Sequence, residues 1–226
     1  MLGRRLNEYQ VNQADTKNVP LIKALVTGVY LNIEEFEKTT SELVSDIQML
    51  SMHWDLLLKL DAEIISSPSK FSKSEHFWSM TFNAHLTSVR IILSRVYDTH
   101  EKVLSIKTWL EIVKAELNNL KFMIEPSCNL SELVIQNINN SDPKTNKLVN
   151  VLINQLRNNG IAHTNMKKAS SGINVFKEWE LTQSDYQELI TQAQEIINNY
   201  IPYILGYKVS YNSLHKDDYK NITNLL

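Results

Sequence analysis

From Asn32 to Ile65 the marked positions fall at alternating steps of four and three: Phe36, Thr40, Leu43, Ile47, Leu50, Trp54, Leu57, Asp61 and Ile64. A helix puts such positions on one side, so the spacing predicts a long amphipathic helix whose seam suits antiparallel packing. The segment "SSPSKFSKSE" (66–75) reads as a Pro/Ser turn, and a second long helix follows through Phe77, Met80, Phe82, Leu86, Val89, Leu93 and Val96. Two long helices with a short connection form a helical hairpin. Shorter helices are expected over about Lys107–Leu120 and from "NLSELV", where Asn129 and Glu132 have capping-box spacing. "SDPK" predicts another, with Asp142 as N-cap, Pro143 at the first helical position, and Val149, Leu152, Ile153 and Leu156 as its buried stripe. Thr182 and Asp185 open a last helix that turns Tyr186, Leu189, Ile190, Ala193, Ile196, Ile197 and Tyr200 inward. The expected architecture is an all-α antiparallel helical bundle with two long N-terminal helices and several shorter ones. Its boundaries read as an N-terminal extension (1–29), one helical domain (30–206) and a polar C-terminal tail (207–226).

Composition narrows the function classes. With 226 residues, 43% of them hydrophobic, and only five glycines and five prolines, the chain can bury one sizeable core. Twenty-three basic against 25 acidic residues give a formal net charge of -2, so a global positive field for nucleic acid is missing and any such contact needs a local patch. The lone Cys128 excludes an intrachain disulfide and a cysteine-cluster zinc site, and fits a reducing, cytoplasmic setting. The N-terminus turns polar too soon for a secretion signal, and "LIKALVTGVYL" is about half the length of a bilayer span. The Asn-x-Ser/Thr triplets at Asn129, Asn139 and Asn221 are read as chance. Phosphate-loop, Gly-x-Ser-x-Gly, His-Glu-x-x-His and Ca²⁺-loop signatures are missing from the sequence, and His53, His76, His85, His100 and His215 show no metal-ligand spacing. No metal or cofactor is expected.

One stretch carries candidate chemistry. "QLRNNGIAHTN" (155–165) sets Arg157 and His163 six positions apart around Gly160. At about 100° per residue Arg157 lies at the margin of the apolar stripe and His163 turns back towards its centre, about 9 Å further along the axis. Such a pair suits metal-independent cleavage of RNA, in which the 2′-hydroxyl attacks the adjacent phosphate. Histidine titrates near neutrality and moves the proton, while the guanidinium holds the developing negative charge. Asn158 is placed to orient the histidine or the phosphate. The same loose pattern recurs in "RVYDTH", Arg95 to His100, and this repetition shows how readily chance produces it. The blander alternatives are that Arg95 and Asp98, three apart, pair on one helix and that Arg157 caps its own helix end.

The residues "LRNNGIAH" (156–163), with "FWSMTFNAHLTSVRIILSRVYD" (77–98), "VLSIKTWLEIV" (103–113) and "WELTQSDYQELITQAQEIINNY" (179–200), resemble the HEPN superfamily, and within it the abortive-infection proteins of AbiU type. The likeness spans roughly residues 30–205. It implies an all-α bundle that dimerises so that two Arg/His motifs face each other, acting as a metal-independent endoribonuclease in phage defence or a toxin–antitoxin system. By that resemblance Arg157 and His163 are catalytic, Asn158 is the supporting polar residue, and Arg95 and Asp98 are structural or accessory. A homodimer would gather two arginines around one phosphate, with Lys167 and Lys168 as contacts to flanking phosphates or, more simply, a solvated turn. Its partners would then be RNA and possibly a cognate antitoxin or regulatory protein. The rival is a non-catalytic interaction or nucleotide-binding module that regulates a defence system.

Overall fold

The computed structural model describes residues 33–117, 126, 128–161, 180–212 and 217–224. The two long helices are α1 (Ile33–Ser66) and α3 (Glu75–Val96), packed along each other as the expected hairpin. Phe36, Leu43, Ile47, Leu50, Trp54 and Leu57 are all buried. Thr40 is buried among them because the Trp109 indole N–H donates to its hydroxyl at 2.9 Å. Towards the end of α1 the buried position moves to Leu60, while Asp61 and Ile64 are only partly covered. A heptad stripe drifts around a straight helix by about 20° per repeat, which accounts for the displacement.

Three expectations need correction. The Pro/Ser connection holds a helical turn, α2 (Pro68–Phe71), and a 3-10 turn (Ser72–Ser74), through which Phe71 reaches a small side core with Leu60 and Trp78. On α3 the inward residues are Trp78, Val89, Leu93 and Val96, whereas Phe77 and Met80 point outward. Asp142 does not cap the helix after "SDPK". Asn146 does, its side-chain oxygen accepting from the Leu148 and Val149 amides, so the α-helical turn α6 starts at Lys147 (Lys147–Asn150). Asp142 instead accepts from Lys107 Nζ at 2.7 Å, and that bond holds its carboxyl below the usual carboxylate range.

The remaining elements follow the spacing. Helix α4 (Ile106–Glu116) is opened by a Ser105/Thr108 capping box, and α5 (Leu130–Asn140) is capped by Asn129. Helix α7 (Gln183–Asn198) is opened by the Thr182/Asp185 box and buries all six apolar residues assigned to its inner face, with Tyr200 just beyond. After α8 (Ile201–Leu205), Gly206 at φ 79 reverses the chain, a left-handed backbone that glycine adopts without a Cβ clash. The next residues are docked: the Asn198 side chain bonds both the N–H and the C=O of Val209, and Val209 and Tyr211 pack on the core. A further short helix, α9 (Lys220–Thr223), lies within the stretch expected to be a polar tail. Among the described residues no helix is long and apolar enough to cross a membrane.

Candidate functional site

From Val151 to Ile161 the backbone continues α6 as a π-helix, and Arg157 and Asn158 lie in this stretch. The π form bonds each N–H five residues back, is rare, and often marks functional positions. Its apolar stripe behaves as expected: Val149, Leu152, Ile153 and Leu156 are buried against the core. Arg157, next along, is lifted to the edge of that stripe, and its side chain is 32% exposed. Asn158 is exposed. Asn159 turns its amide back on the carbonyl oxygens of Asn154 (3.1 Å) and Gln155 (2.9 Å), satisfying acceptors of the same turn. His163, Lys167 and Lys168 lie outside the described residues.

The arginine has a specific anchor. Arg157 Nη2 donates to Asp98 Oδ2 at 2.6 Å, and the Asp98 side chain is only 6% exposed. Asp98 follows directly on the C-terminal end of α3, where Tyr97, fully buried, donates its hydroxyl proton to the Leu189 carbonyl of α7 at 2.8 Å. Burial drives the Tyr97 phenol well above its ordinary pKa, so it stays a neutral donor. The other carboxylate oxygen, Oδ1, accepts the His100 amide at 2.9 Å. Asp98 is thus fixed from both sides before it meets the guanidinium, which leaves Arg157 oriented with donors to spare, since a guanidinium has five N–H bonds.

Among the described residues neither arginine takes the partner that its own helix offers. Arg95 pairs with Asp46 of α1, not with Asp98, because it emerges on the solvent side of the hairpin. The partner found for Arg157 is not its own helix end but a residue 59 positions earlier in the chain. The residues singled out Asp98 as half of a local pair, and the resemblance gave it a structural or accessory role. Its buried place at the end of α3 depends on the hairpin, the π segment and α7 coming together.

Two further polar features lie elsewhere. His53 of α1 and His85 of α3 face each other across the hairpin, Nδ1 to Nδ1 at 2.8 Å. Burial, and for His53 also the neighbouring His85, push both imidazoles below their ordinary pKa. A shallow groove on α7 is lined by Ser184, Gln187, Glu188, Thr191, Gln192 and Glu195, and its carboxylates suit it poorly to phosphate.

An antiparallel all-α bundle with its Arg-x5-His motif opening on a helix packed against the first hairpin is a protein of HEPN type. The family model described as AbiU2 matches residues 33–223, most of the chain, and the protein belongs to that HEPN family, which ties it to abortive infection. No curated protein and no solved structure matches it.

Proposed function

We propose that the protein is a metal-independent endoribonuclease of a phage-defence or toxin–antitoxin system, with Arg157 and His163 as its catalytic pair. The observation that carries this reading is the Asp98–Arg157 bond: a buried carboxylate aims a half-exposed guanidinium within the very motif that resembles the family's active site. A merely solvated arginine at a helix edge needs no such anchor. In this mechanism Arg157 keeps one nitrogen on Asp98 and offers its remaining N–H groups to a non-bridging phosphate oxygen, where charge grows as the 2′-oxygen attacks phosphorus. His163 accepts the 2′-hydroxyl proton; the P–O5′ bond breaks and the departing 5′-oxygen takes a proton from water, leaving a 2′,3′-cyclic phosphate and a 5′-hydroxyl. Asn158, exposed beside Arg157, supplies a further hydrogen bond to the phosphate, and Lys167 and Lys168 hold flanking nucleotides. A homodimer with facing motifs would double the cationic character of the site, which a chain of net charge -2 otherwise lacks.

One observation favours the rival, a non-catalytic HEPN module acting as partner or regulator. Asp98 already neutralises the Arg157 charge, as it would in a purely structural contact. Total RNA incubated with the purified protein in excess EDTA separates the two. Cleavage leaving cyclic-phosphate ends, lost in both Arg157→Ala and His163→Ala, is the expected result. RNA left intact by the wild-type chain rejects the enzyme. Substituting 2′-deoxyribose at the scissile position should block cutting, and equal cutting of that substrate would exclude attack by the 2′-hydroxyl.

A further inference from the structure

The polar stretch after Gly206 is attached to α1 at two levels. Gln48 Nε2 donates to the Ser210 carbonyl oxygen at 3.3 Å, beside the Asn198 clamp on Val209. Further on, Tyr219 packs against the side core of Leu60, Phe71 and Trp78. Gln48 and Leu60 are separated by about 18 Å of α1, so the described stretches 207–212 and 217–224 meet the hairpin in turn, the second near its closed end.

This dock is assembled against the usual preference. In α9, Ile222 is 60% exposed while Thr223 next to it is buried, the reverse of what apolar burial favours. Among the described residues four buried side-chain polar atoms have no hydrogen-bond partner. Three of them belong here: the Thr223 and Tyr211 hydroxyls and the indole N–H of Trp78 beneath. Burial, with Tyr207 alongside, raises the Tyr211 phenol above its ordinary value, so it keeps a proton that it donates to no described residue. A polar group sealed without a partner is less stable than the same group in water, so each of the three favours an open dock. Most of the second stretch is already in water when closed, since Asp217, Asp218, Lys220, Asn221 and Asn224 are exposed.

We propose that the stretches 207–212 and 217–224 form a releasable clasp, which leaves α1 as one unit while the helical bundle stays folded. Opening gives the three polar groups access to water and uncovers the closed end of the hairpin around Leu60 and Trp78. Trp78 precedes Asp98 by about 30 Å along α3, so the clasp works at the far end from Arg157 and stands whether or not the chain cuts RNA.

Amide hydrogen exchange on the full chain, read by NMR, tests it. The hydrogen-bonded amides of Val209, Ile222, Thr223 and Asn224 should exchange well before those in the middle of α7. Removing an unpaired hydroxyl should tighten the clasp. Thr223→Val should slow exchange at Val209 as well as in its own turn by at least about threefold, and Tyr211→Phe should do the same at Ile222, Thr223 and Asn224. Simple fraying of a short helix gives no such effect across the two stretches. Tyr219→Ala, which removes the ring from the side core, should hasten exchange in both stretches at least about tenfold and leave α7 unchanged. Clasp amides as slow as those of α7, hydroxyl deletions that leave exchange alone or hasten it, or effects confined to the substituted stretch would each overturn the proposal. So would a Tyr219→Ala chain in which α7 loses protection as much as the clasp does.

Discussion

Two arginines open the same loose motif, and the protein treats them differently. Arg95 begins "RVYDTH" and Arg157 begins "RNNGIAH", each with a histidine five or six positions on. Arg95 is 51% exposed and meets Asp46, itself 29% exposed, in an ion pair that water screens. Arg157 meets a carboxylate sealed from water and already holding a backbone amide. His100, the end of the first motif, is exposed, and its ring nitrogen accepts the Lys102 amide at 3.2 Å in a local turn. Among the described residues, the bond that joins the two motifs comes from the aspartate between arginine and histidine. Spacing alone does not tell the two motifs apart; the burial of what holds each arginine does.

The widest separation between the two motifs is expected in RNA cleavage. Arg157→Ala should lower it by at least about 100-fold, as loss of a transition-state cation does, and Arg95→Ala should leave it within about twofold. Equal losses would erase the contrast. Next comes stability. Asp98→Ala leaves a partly covered guanidinium unpaired and an amide without its acceptor, for an expected cost of about 2 kcal/mol in chemical denaturation. Asp46→Ala breaks only a screened pair and should cost less than about 0.5 kcal/mol.

Asp98→Glu sharpens the comparison further, keeping the charge but shifting it by one methylene. Cleavage should fall about tenfold while the denaturation midpoint stays near that of the wild type, the mark of a positioning carboxylate and not a merely stabilising one.

The smallest effect belongs to the hairpin itself. With both imidazoles lowered in the folded chain, the unfolded chain takes up protons first as pH falls past about 6.5, the ordinary histidine value. Stability is therefore full above that pH and declines below it until the folded-state values are passed. The wild type should lose about 2–4 °C of melting temperature between pH 7 and pH 5 beyond what the His53→Leu/His85→Leu variant loses. Parallel melting curves for the two would show that the facing rings carry no proton linkage.

Periodicity and capping chemistry made most of this bundle legible in one dimension. The inner faces of α1 and α7, the Thr182/Asp185 box, the Asn129 cap and the buried stripe ahead of Arg157 all follow from residues within a turn or two of one another. The family likeness rests on the same short stretches and agrees with the matched model. Errors arose where local patterns offered two choices. Asp142 and Asn146 are both good caps four positions apart, and Lys107 of a distant helix drew Asp142 away. On α3, Phe77 and Met80 are as apolar as the inward residues, so which face meets α1 depends on the partner helix.

The sequence by itself determined the long helices, the inner faces of α1 and α7 and the Arg-x5-His motif, because those depend on side chains spaced along one strand of backbone. Only the tertiary structure decided that Arg157 answers to Asp98 and Arg95 to Asp46. Ion pairs between residues 49 and 59 positions apart depend on which carboxylate the packed helices seal from water and which they leave in it.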